Sequence, residues 1–204
     1  RMKKKKETKL QNVHGPAAWP FKTDNVEAWS YFTNAFSQDE CKEIIKLGKR
    51  FSMIDGAVRQ GVTPKARLSK INWMWPSAET DYIFRRLTDI MTGLNNEFHQ
   101  FDLFGFIEGL QFTYYKAPDN FYTKHADTWH KGPIRKLSMS LLLSDPDKYE
   151  GGDLKLHLGG DPTVLPKDQG KLLAFPSYTL HEVTPVTKGH RYSLVGWVTG
   201  PQFK

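Results

Sequence analysis

Two stretches in the first half of the chain repeat apolar residues at the three-and-four spacing of an amphipathic helix. The first follows Ser37, which together with Glu40 has the sequence signature of a capping box. The second runs from Ala78 to about His99, and its apolar positions are Tyr82, Ile83, Leu87, Ile90, Met91, Leu94 and Phe98. The pattern therefore predicts two helices within a helical region that spans residues 37–100.

After residue 100 the pattern changes to short aromatic and β-branched runs separated by Gly, Pro, Asp and Asn, which predict strands joined by turns. Segment 67–75 alternates in the same way and predicts one earlier strand. The later predicted strands are 110–116, 121–126, 136–143, 153–158, 171–175, 181–186 and 190–199. Many short strands at this spacing are typical of a sandwich or barrel. The predicted fold class is therefore α+β, with helices packed on one outer face of a β-sandwich.

The first 30 residues follow neither period and contain the basic run RMKKKK. Blocks of like charge are usually solvated, and we predict a basic, partly flexible arm over residues 1–30. The chain length suits a single further domain over residues 31–204. The formal net charge is +7, but much of it lies in this run, so charge argues only weakly for a nucleic-acid partner, and we do not expect one.

Cysteine content and hydropathy predict the cellular compartment of the protein. Cys41 is the single cysteine of the chain, which excludes an intramolecular disulfide and any C-x-x-C zinc site. No apolar run approaches the roughly 20 residues that cross a bilayer, and no signal-like apolar segment opens the sequence. We expect a soluble cytoplasmic protein with no membrane partner, and the oligomeric state stays open.

The segment FYTKHADTWH places three potential metal ligands, His125, Asp127 and His130, close together. Residues two apart on a strand point to the same side, so His125 and Asp127 project together. One imidazole and one carboxylate suit redox-active iron, whereas structural zinc takes more sulfur or nitrogen. Two histidines compete for the third place. His130 stands beside a predicted turn, as a surface histidine would, and His181 begins a later predicted strand.

The order of HAD at residues 125–127, HEV at 181–183 and RYS at 191–193 resembles the iron(II)- and 2-oxoglutarate-dependent dioxygenases of the prolyl 4-hydroxylase-like group. The resemblance covers about residues 110–199. It implies a double-stranded β-helix, which is a jelly-roll barrel flanked by helices. It also implies that His125, Asp127 and His181 bind Fe(II), which leaves His130 at the rim.

By the same resemblance, 2-oxoglutarate and dioxygen take the three remaining positions on the iron, with ascorbate as a reductant. Arg191 would pair with the distal carboxylate of 2-oxoglutarate through two charge-assisted hydrogen bonds. Ser193 would add a hydroxyl donor, and Tyr115 matches a tyrosine that contacts the cosubstrate. One position departs from the family's hypoxia-sensing hydroxylases: Leu142 stands where they carry a tyrosine, and Ser193 or Ser140 would substitute for it.

The resemblance also implies a peptide groove covered by a mobile loop and the first strand, within VRQGVTPKARLSKINW. The residues that match groove or pocket positions are Arg67, Ser69, Trp73, Tyr122, Arg135, Leu154 and Trp197. The implied partner is a peptide or protein that contains proline. Its hydroxylation, at C4, would yield succinate and carbon dioxide as coproducts.

Two alternatives stay open. The same chemistry could act on another side chain or on a small molecule, although a loop that covers a groove favours a peptide. A different class is a non-catalytic jelly-roll module that binds without turnover. Against it stand Arg191 and the three implied ligands.

Overall fold

The computed structural model describes residues 26–58, 61–128 and 132–203. Most of the predicted arm over residues 1–30 therefore lies outside the described residues, and so does His130. No helix among the described residues is both long and apolar enough to cross a membrane.

Both predicted helices are present. Helix α1 spans Gln38–Lys49 and begins with the predicted capping box, in which Glu40 N donates to Ser37 Oγ at 3.2 Å and Ser37 N donates to the Glu40 carboxylate at 2.8 Å. Helix α2 spans Asp81–Leu94 and continues into a π-helical turn at Asn95–His99. It begins later than predicted because Thr80 Oγ1 binds the Trp75 carbonyl oxygen at 2.7 Å, which holds the preceding residues in a turn.

The described residues form twelve strands, and every pairing between them is antiparallel. In chain order they are β1 (Ser30–Phe32), β2 (Ile54–Asp55), β3 (Arg67–Leu68), β4 (Lys70–Met74), β5 (Leu110–Lys116), β6 (Asn120–His125), β7 (Arg135–Leu142), β8 (Tyr149–Gly151), β9 (Leu154–His157), β10 (Thr163–Val164), β11 (Leu172–Pro176) and β12 (Leu180–Thr199).

The strands make two facing layers that share β12. The major layer has the order β1-β11-β7-β12-β5-β4-β2, and the minor layer contains β3, β6, β8, β9 and β10 around the first part of β12. This arrangement, with two helices beside it, is the α+β jelly roll that the sequence predicted.

Two predicted strand boundaries were wrong. The strands predicted at 181–186 and 190–199 form one strand of 20 residues, β12, which passes from the minor to the major layer. Gly189 makes this continuity feasible because its φ of 73° suits glycine, and a Cβ there would lie 2.1 Å from the Lys148 carbonyl oxygen. Conversely, the single strand predicted over 67–75 is split at Ser69: β3 pairs with β6, and β4 pairs with β5.

Side chains along the strands of the major layer point alternately to the helices and to the minor layer, so one face forms the core and the other lines a cavity. Phe112 and Leu194 face α1 and α2, where they pack with Ile44 and Leu87. Their neighbours one position away face the minor layer instead. The helices therefore cover the outer face of the major layer, and the space between the layers is left for a site.

Candidate metal centre

The two layers enclose a cavity of about 480 Å³. Polar residues that alternate with the core positions line its floor, and they are Gln111, Thr113, Ser138, Ser140, Arg191 and Ser193. All six are at most 6% exposed. Buried polar side chains of this density need hydrogen-bond partners, which suggests that the cavity receives polar ligands.

His125, Asp127 and His181 meet on one wall of this cavity. Their ligand atoms all lie within 4.8 Å of one another. His125 Nε2 is 3.8 Å from Asp127 Oδ1, and His181 Nε2 is 3.6 Å from Asp127 Oδ2. The two histidines are brought together by the pairing of β6 with β12, where they are direct partners. Asp127 follows β6 by two residues.

The orientation of both imidazoles is fixed by backbone carbonyl groups. Nδ1 of His125 lies 2.7 Å from the Thr123 carbonyl oxygen, and Nδ1 of His181 lies 2.9 Å from that of Thr179. A carbonyl oxygen can only accept, so each Nδ1 carries a hydrogen, and Nε2 is the ring atom of each histidine that is directed at Asp127 and available to a metal.

Asp127 is held by two serines. Its carboxylate accepts a hydrogen bond from Ser138 Oγ at 2.6 Å, and its backbone N–H donates to the Ser177 carbonyl oxygen at 2.9 Å. Burial alone would raise the pKa of Asp127, but His181, His125 and the Ser138 hydroxyl outweigh it and hold the pKa below its usual value. Burial, and secondly His181, lower the pKa of His125 to about 4. A carboxylate beside a neutral imidazole is the protonation state that binds a metal.

Two imidazole nitrogens and one carboxylate are the set that non-haem iron(II) oxygenases use, and it leaves positions open for other ligands. The cluster contains no thiolate and has three donors, whereas structural zinc sites are closed by four. The residues present therefore fit iron(II).

Arg191 lies deeper in the same cavity and is 3% exposed. Its Nη1 donates to Ser193 Oγ at 3.2 Å, its guanidinium carbon is 5.3 Å from the centre of the Tyr115 ring, and its Nε has no hydrogen-bond partner. No carboxylate among the described residues pairs with it. Gly152 makes room for the side chain, since a Cβ there would lie 2.8 Å from Arg191 Cδ. A buried guanidinium in this state suits an anionic ligand.

Around the arginine, Leu142 is 4% exposed and belongs to an apolar cluster with Tyr115 and Leu154. It supplies no hydroxyl where the resembled family has a tyrosine. Of the two serines expected to substitute, Ser193 is the one bonded to Arg191. Ser140 faces the same cavity from β7.

Most of the predicted groove residues line the cavity wall. The Arg67 guanidinium carbon is 4.5 Å from the centre of the Tyr122 ring, and that ring stacks on His125 with 3.5 Å between ring centres. On another side, the Arg135 guanidinium carbon lies 3.8 Å from the centre of the Trp197 ring.

The ring centres of Trp197 and Trp73 are 6.0 Å apart, and both residues line the cavity. The side chain of Trp197 contributes to lowering the pKa of Asp127, although its Nε1 makes no hydrogen bond of regular geometry. Ser69 is placed differently from the others. It is buried behind Arg67 and accepts a hydrogen bond from Arg67 Nε at 2.8 Å.

Sequence reasoning missed three residues that support this site. Ser138 binds Asp127, Gln111 Oε1 accepts from Arg67 Nη2 at 2.7 Å, and Glu108 pairs with Arg135 through two bonds of 2.6 and 2.7 Å. Alternation of serine with apolar residues in the segment KLSMSLLL could have indicated Ser138. Glu108 lies outside any strand, in a segment without periodicity.

Strand β12 carries both His181 of the His-Asp-His cluster and Arg191, whose guanidinium has no carboxylate partner among the described residues. This combination fits metal-dependent oxygenases that take an anionic cosubstrate. Residues 110–199 match the family model described as the 2OG-Fe(II) oxygenase superfamily. The match covers the strands that carry the cluster and the arginine, and the fold of the chain is prolyl hydroxylase-like. The matched superfamily is one that uses Fe(II), 2-oxoglutarate and O2, and the His125, Asp127 and His181 cluster of this chain fits the metal of that set.

The chain is similar in sequence to cyanobacterial proteins named PKHD-type hydroxylases. It is 44% identical over 81 residues to one from Synechococcus sp. strain CC9605, a match that covers 38% of this chain and 36% of the relative. It is 39% identical over 97 residues to one from Synechococcus elongatus, covering 45% and 43%. The matched segments thus span less than half the length of these relatives. A longer match, over 81% of this chain and 75% of the relative, is 28% identical to one from Synechococcus sp. strain JA-2-3B'a(2-13).

Solved structures share the fold. A prolyl-4-hydroxylase of Pseudomonas putida has a TM-score of 0.68 at 23% identity, and the match covers 86% of this chain and 94% of that one. A prolyl hydroxylase from Trichoplax adhaerens, solved in complex with a peptide fragment of the hypoxia inducible factor oxygen degradation domain, has a TM-score of 0.72 at 18% identity and coverages of 84% and 83%.

Proposed function

We propose that this protein is an iron(II)- and 2-oxoglutarate-dependent dioxygenase that hydroxylates a prolyl residue, at C4, in a peptide or protein. Succinate and carbon dioxide are its coproducts. The observation that carries the proposal is Arg191, a buried guanidinium whose Nε has no partner, in the same cavity as the His125, Asp127 and His181 cluster.

The cluster supplies the metal ligands in this proposal. Nε2 of His125, Nε2 of His181 and the Asp127 carboxylate bind iron(II). Iron(II) bound there supplies the oxidative decarboxylation of 2-oxoglutarate by O2 and the hydroxylation of a C–H bond. The carbonyl groups of Thr123 and Thr179 keep both imidazoles in the ligating tautomer.

The cosubstrate is held at its far end by Arg191, which forms a bidentate pair with the distal carboxylate. Ser193, already in contact with Arg191, adds a hydroxyl donor to the same carboxylate. Tyr115 forms the wall beside the guanidinium, and Leu142 and Leu154 exclude water from the cosubstrate.

A peptide substrate is supported by the space and the walls that remain. The cavity of about 480 Å³ exceeds the volume that a five-carbon dicarboxylate occupies. Tyr122, Trp73 and Trp197 offer flat apolar surfaces near the metal cluster that suit a pyrrolidine ring. The names of the cyanobacterial relatives and of the two structural neighbours agree with a hydroxylase, and the Trichoplax protein was solved with a peptide.

The test begins with anaerobic addition of iron(II) and 2-oxoglutarate. We expect a weak visible charge-transfer band, and after admission of O2 with ascorbate present as reductant we expect succinate. His181→Ala should remove both. Absence of the band and of succinate in the wild type, or their persistence in the variant, would refute the oxygenase assignment.

The prolyl assignment needs a separate comparison. Peptide pools with a fixed central proline and with alanine in its place are incubated with the loaded enzyme, and products that gain an oxygen atom are located by mass spectrometry. We expect oxygen only on proline, at C4. Equal oxygen incorporation in both pools would remove the prolyl assignment and keep the oxygenase chemistry.

A further inference from the structure

The charged side chains around the cavity are largely paired with one another. The Asp55 carboxylate, at the cavity mouth, accepts from Lys70 Nζ at 2.7 Å. Arg135 is paired with Glu108 through two short bonds. These two pairs contribute no net charge to the cavity.

The proposed metal and cosubstrate also balance. Iron(II) brings two positive charges and Arg191 one, while Asp127 brings one negative charge and 2-oxoglutarate brings two. The loaded centre is therefore neutral. Among the described residues that line the cavity, this leaves two cations without a counter-charge, Arg67 and Lys124.

Arg67 is fixed in place by neutral groups alone. Its Nε, Nη1 and Nη2 donate to Ser69 Oγ at 2.8 Å, to the Ala57 carbonyl oxygen at 3.3 Å and to Gln111 Oε1 at 2.7 Å. Gly56 packs directly against it, since a Cβ there would lie 2.5 Å from Arg67 Nε. These contacts use three of the five guanidinium N–H groups, and two remain for a ligand.

The burial of the Arg67 guanidinium without a carboxylate partner indicates that it binds an anionic ligand. Arg67 is only 6% exposed, and within the described parts of the chain no carboxylate pairs with it. A buried charge that has hydrogen bonds but no counter-charge is expensive to maintain. Arg67 is also close to the proposed metal site, because its guanidinium packs on the Tyr122 ring and that ring stacks on the metal ligand His125. Lys124 is exposed and also lines the cavity, where it adds a second positive charge.

We propose that Arg67, assisted by Lys124, binds a carboxylate of the peptide substrate, so that the preferred sequence carries Asp or Glu within a few residues of the hydroxylated position. This rests on the proposed peptide hydroxylase function and specifies its substrate class. The bound carboxylate completes the hydrogen bonds of Arg67 and places the target residue over Tyr122 and the metal centre.

The test is selection from a peptide pool. The full-length protein, loaded anaerobically with iron(II) and 2-oxoglutarate, is incubated with amidated peptides that have a fixed central proline and three randomised residues on each side. Bound peptides are recovered and sequenced by mass spectrometry. We expect Asp and Glu to be enriched about fivefold over Asn and Gln at one or more positions, and the enrichment to fall as salt is raised.

Variants assign the effect to its residue. Arg67→Gln should bring the enrichment to about one, while Arg67→Lys, which keeps the charge, should retain an enrichment of about two or more. Lys124→Gln should reduce it by a smaller factor. Arg85→Gln is the matched control, because it removes the same charge from the exposed face of α2, where Arg85 pairs with Asp81, and it should leave the enrichment unchanged.

The outcomes separate this inference from the function it rests on. The inference would be overturned if the peptides bound by the wild type were no richer in Asp and Glu than the input pool, or if no peptide were bound. It would also be overturned if the Arg67→Gln variant enriched Asp and Glu as strongly as the wild type. In either case the charge-transfer band with iron(II) and 2-oxoglutarate would still report on the oxygenase assignment. Loss of that band in the wild type is the result that would count against the function itself.

Discussion

Ser138 donates its hydroxyl hydrogen to the Asp127 carboxylate across 2.6 Å, and the two side chains are 1% and 7% exposed. Ser138 Oγ also lies 3.0 Å from Ser177 Oγ, so the carboxylate is held from β7 and from the turn after β11 together. The bond from Ser138 ends on Oδ2, which also lies 3.6 Å from His181 Nε2, and it leaves Oδ1 directed at His125 Nε2 at 3.8 Å.

Replacing Ser138 should therefore weaken iron binding. Ser138→Ala removes the orienting hydrogen bond, and we expect iron(II) affinity to fall by about tenfold, the lower end of what such partners contribute. The measurement is anaerobic metal titration without cosubstrate. Ser140→Ala, on the same strand and face but not bonded to Asp127, is the control and should titrate as the wild type does. Equal affinities for the Ser138 and Ser140 variants would contradict the orienting role.

Arg191 should govern the cosubstrate without affecting the metal. In Arg191→Gln the distal carboxylate loses its charged partner, and we expect the 2-oxoglutarate concentration for half-maximal charge-transfer absorbance to rise by at least about tenfold. Arg191→Lys should recover only part of this, because an ammonium cannot make the bidentate pair. Iron(II) titration of both variants should match the wild type. If the Arg191→Gln variant bound 2-oxoglutarate as tightly as the wild type, the distal carboxylate would not be bound by Arg191.

Glu108 should contribute to stability through Arg135. In the Glu108→Gln variant the largely buried Arg135 loses its bidentate carboxylate while it keeps its stacking on Trp197, so we expect the free energy of unfolding to fall by about 2 kcal/mol. Urea unfolding measures the change. The matched control is Glu79→Gln, which breaks an exposed pair with Arg50 and should cost less than about 0.5 kcal/mol. Similar losses for the two variants would remove the special role of the buried pair.

His99 should make stability depend on pH. Its Nε2 lies 2.9 Å from Ser30 Oγ, and burial, only partly opposed by Glu27, lowers its pKa to about 4 from the ordinary 6.5. Between these values the unfolded chain binds a proton that the folded protein does not. Stability is therefore fully present above pH 6.5 and is lost as the pH falls toward 4, by up to about 1.4 kcal/mol per pH unit from this residue.

Comparison of His99→Gln with the wild type isolates that contribution. Urea unfolding at several pH values from 4 to 7 should give a shallower loss for the variant, even where its stability at pH 7 is lower. Parallel curves for the two proteins would mean that His99 does not titrate on unfolding.

Local patterns predicted those elements whose signals are periodic. The apolar spacing from Tyr82 to Phe98 predicted α2, and the alternation in 110–116 predicted β5. Strand β12 was divided in the prediction because Lys188 and Gly189 look like a turn, whereas Gly189 lets the ladder continue through a bend. Strands of two or three residues, such as β2 and β10, are too short to have a period and depend on tertiary pairing.

The candidate site was predictable to a similar degree. His125 and Asp127 were paired from their spacing in the sequence, although Asp127 lies two residues beyond the end of β6. His181 needed the resemblance, because no local spacing indicates which distant histidine faces them. The supporting partners Glu108 and Gln111 were not predictable. Their roles arise from contacts between segments that are far apart in sequence, and only the folded chain brings these together.

Strand β12 carries His181 near its start, Arg191 after the bend at Gly189, and Trp197 near its end. Under the proposed function, one segment of backbone fixes the distance between the metal ligand His181 and Arg191, the proposed partner of the distal carboxylate. That distance determines the length of dicarboxylate that can contact both the metal and Arg191. We therefore expect four- and six-carbon homologues to fit less well than 2-oxoglutarate, and the preference for cosubstrate length to depend on the backbone bend at Gly189 as well as on the side chains that line the cavity.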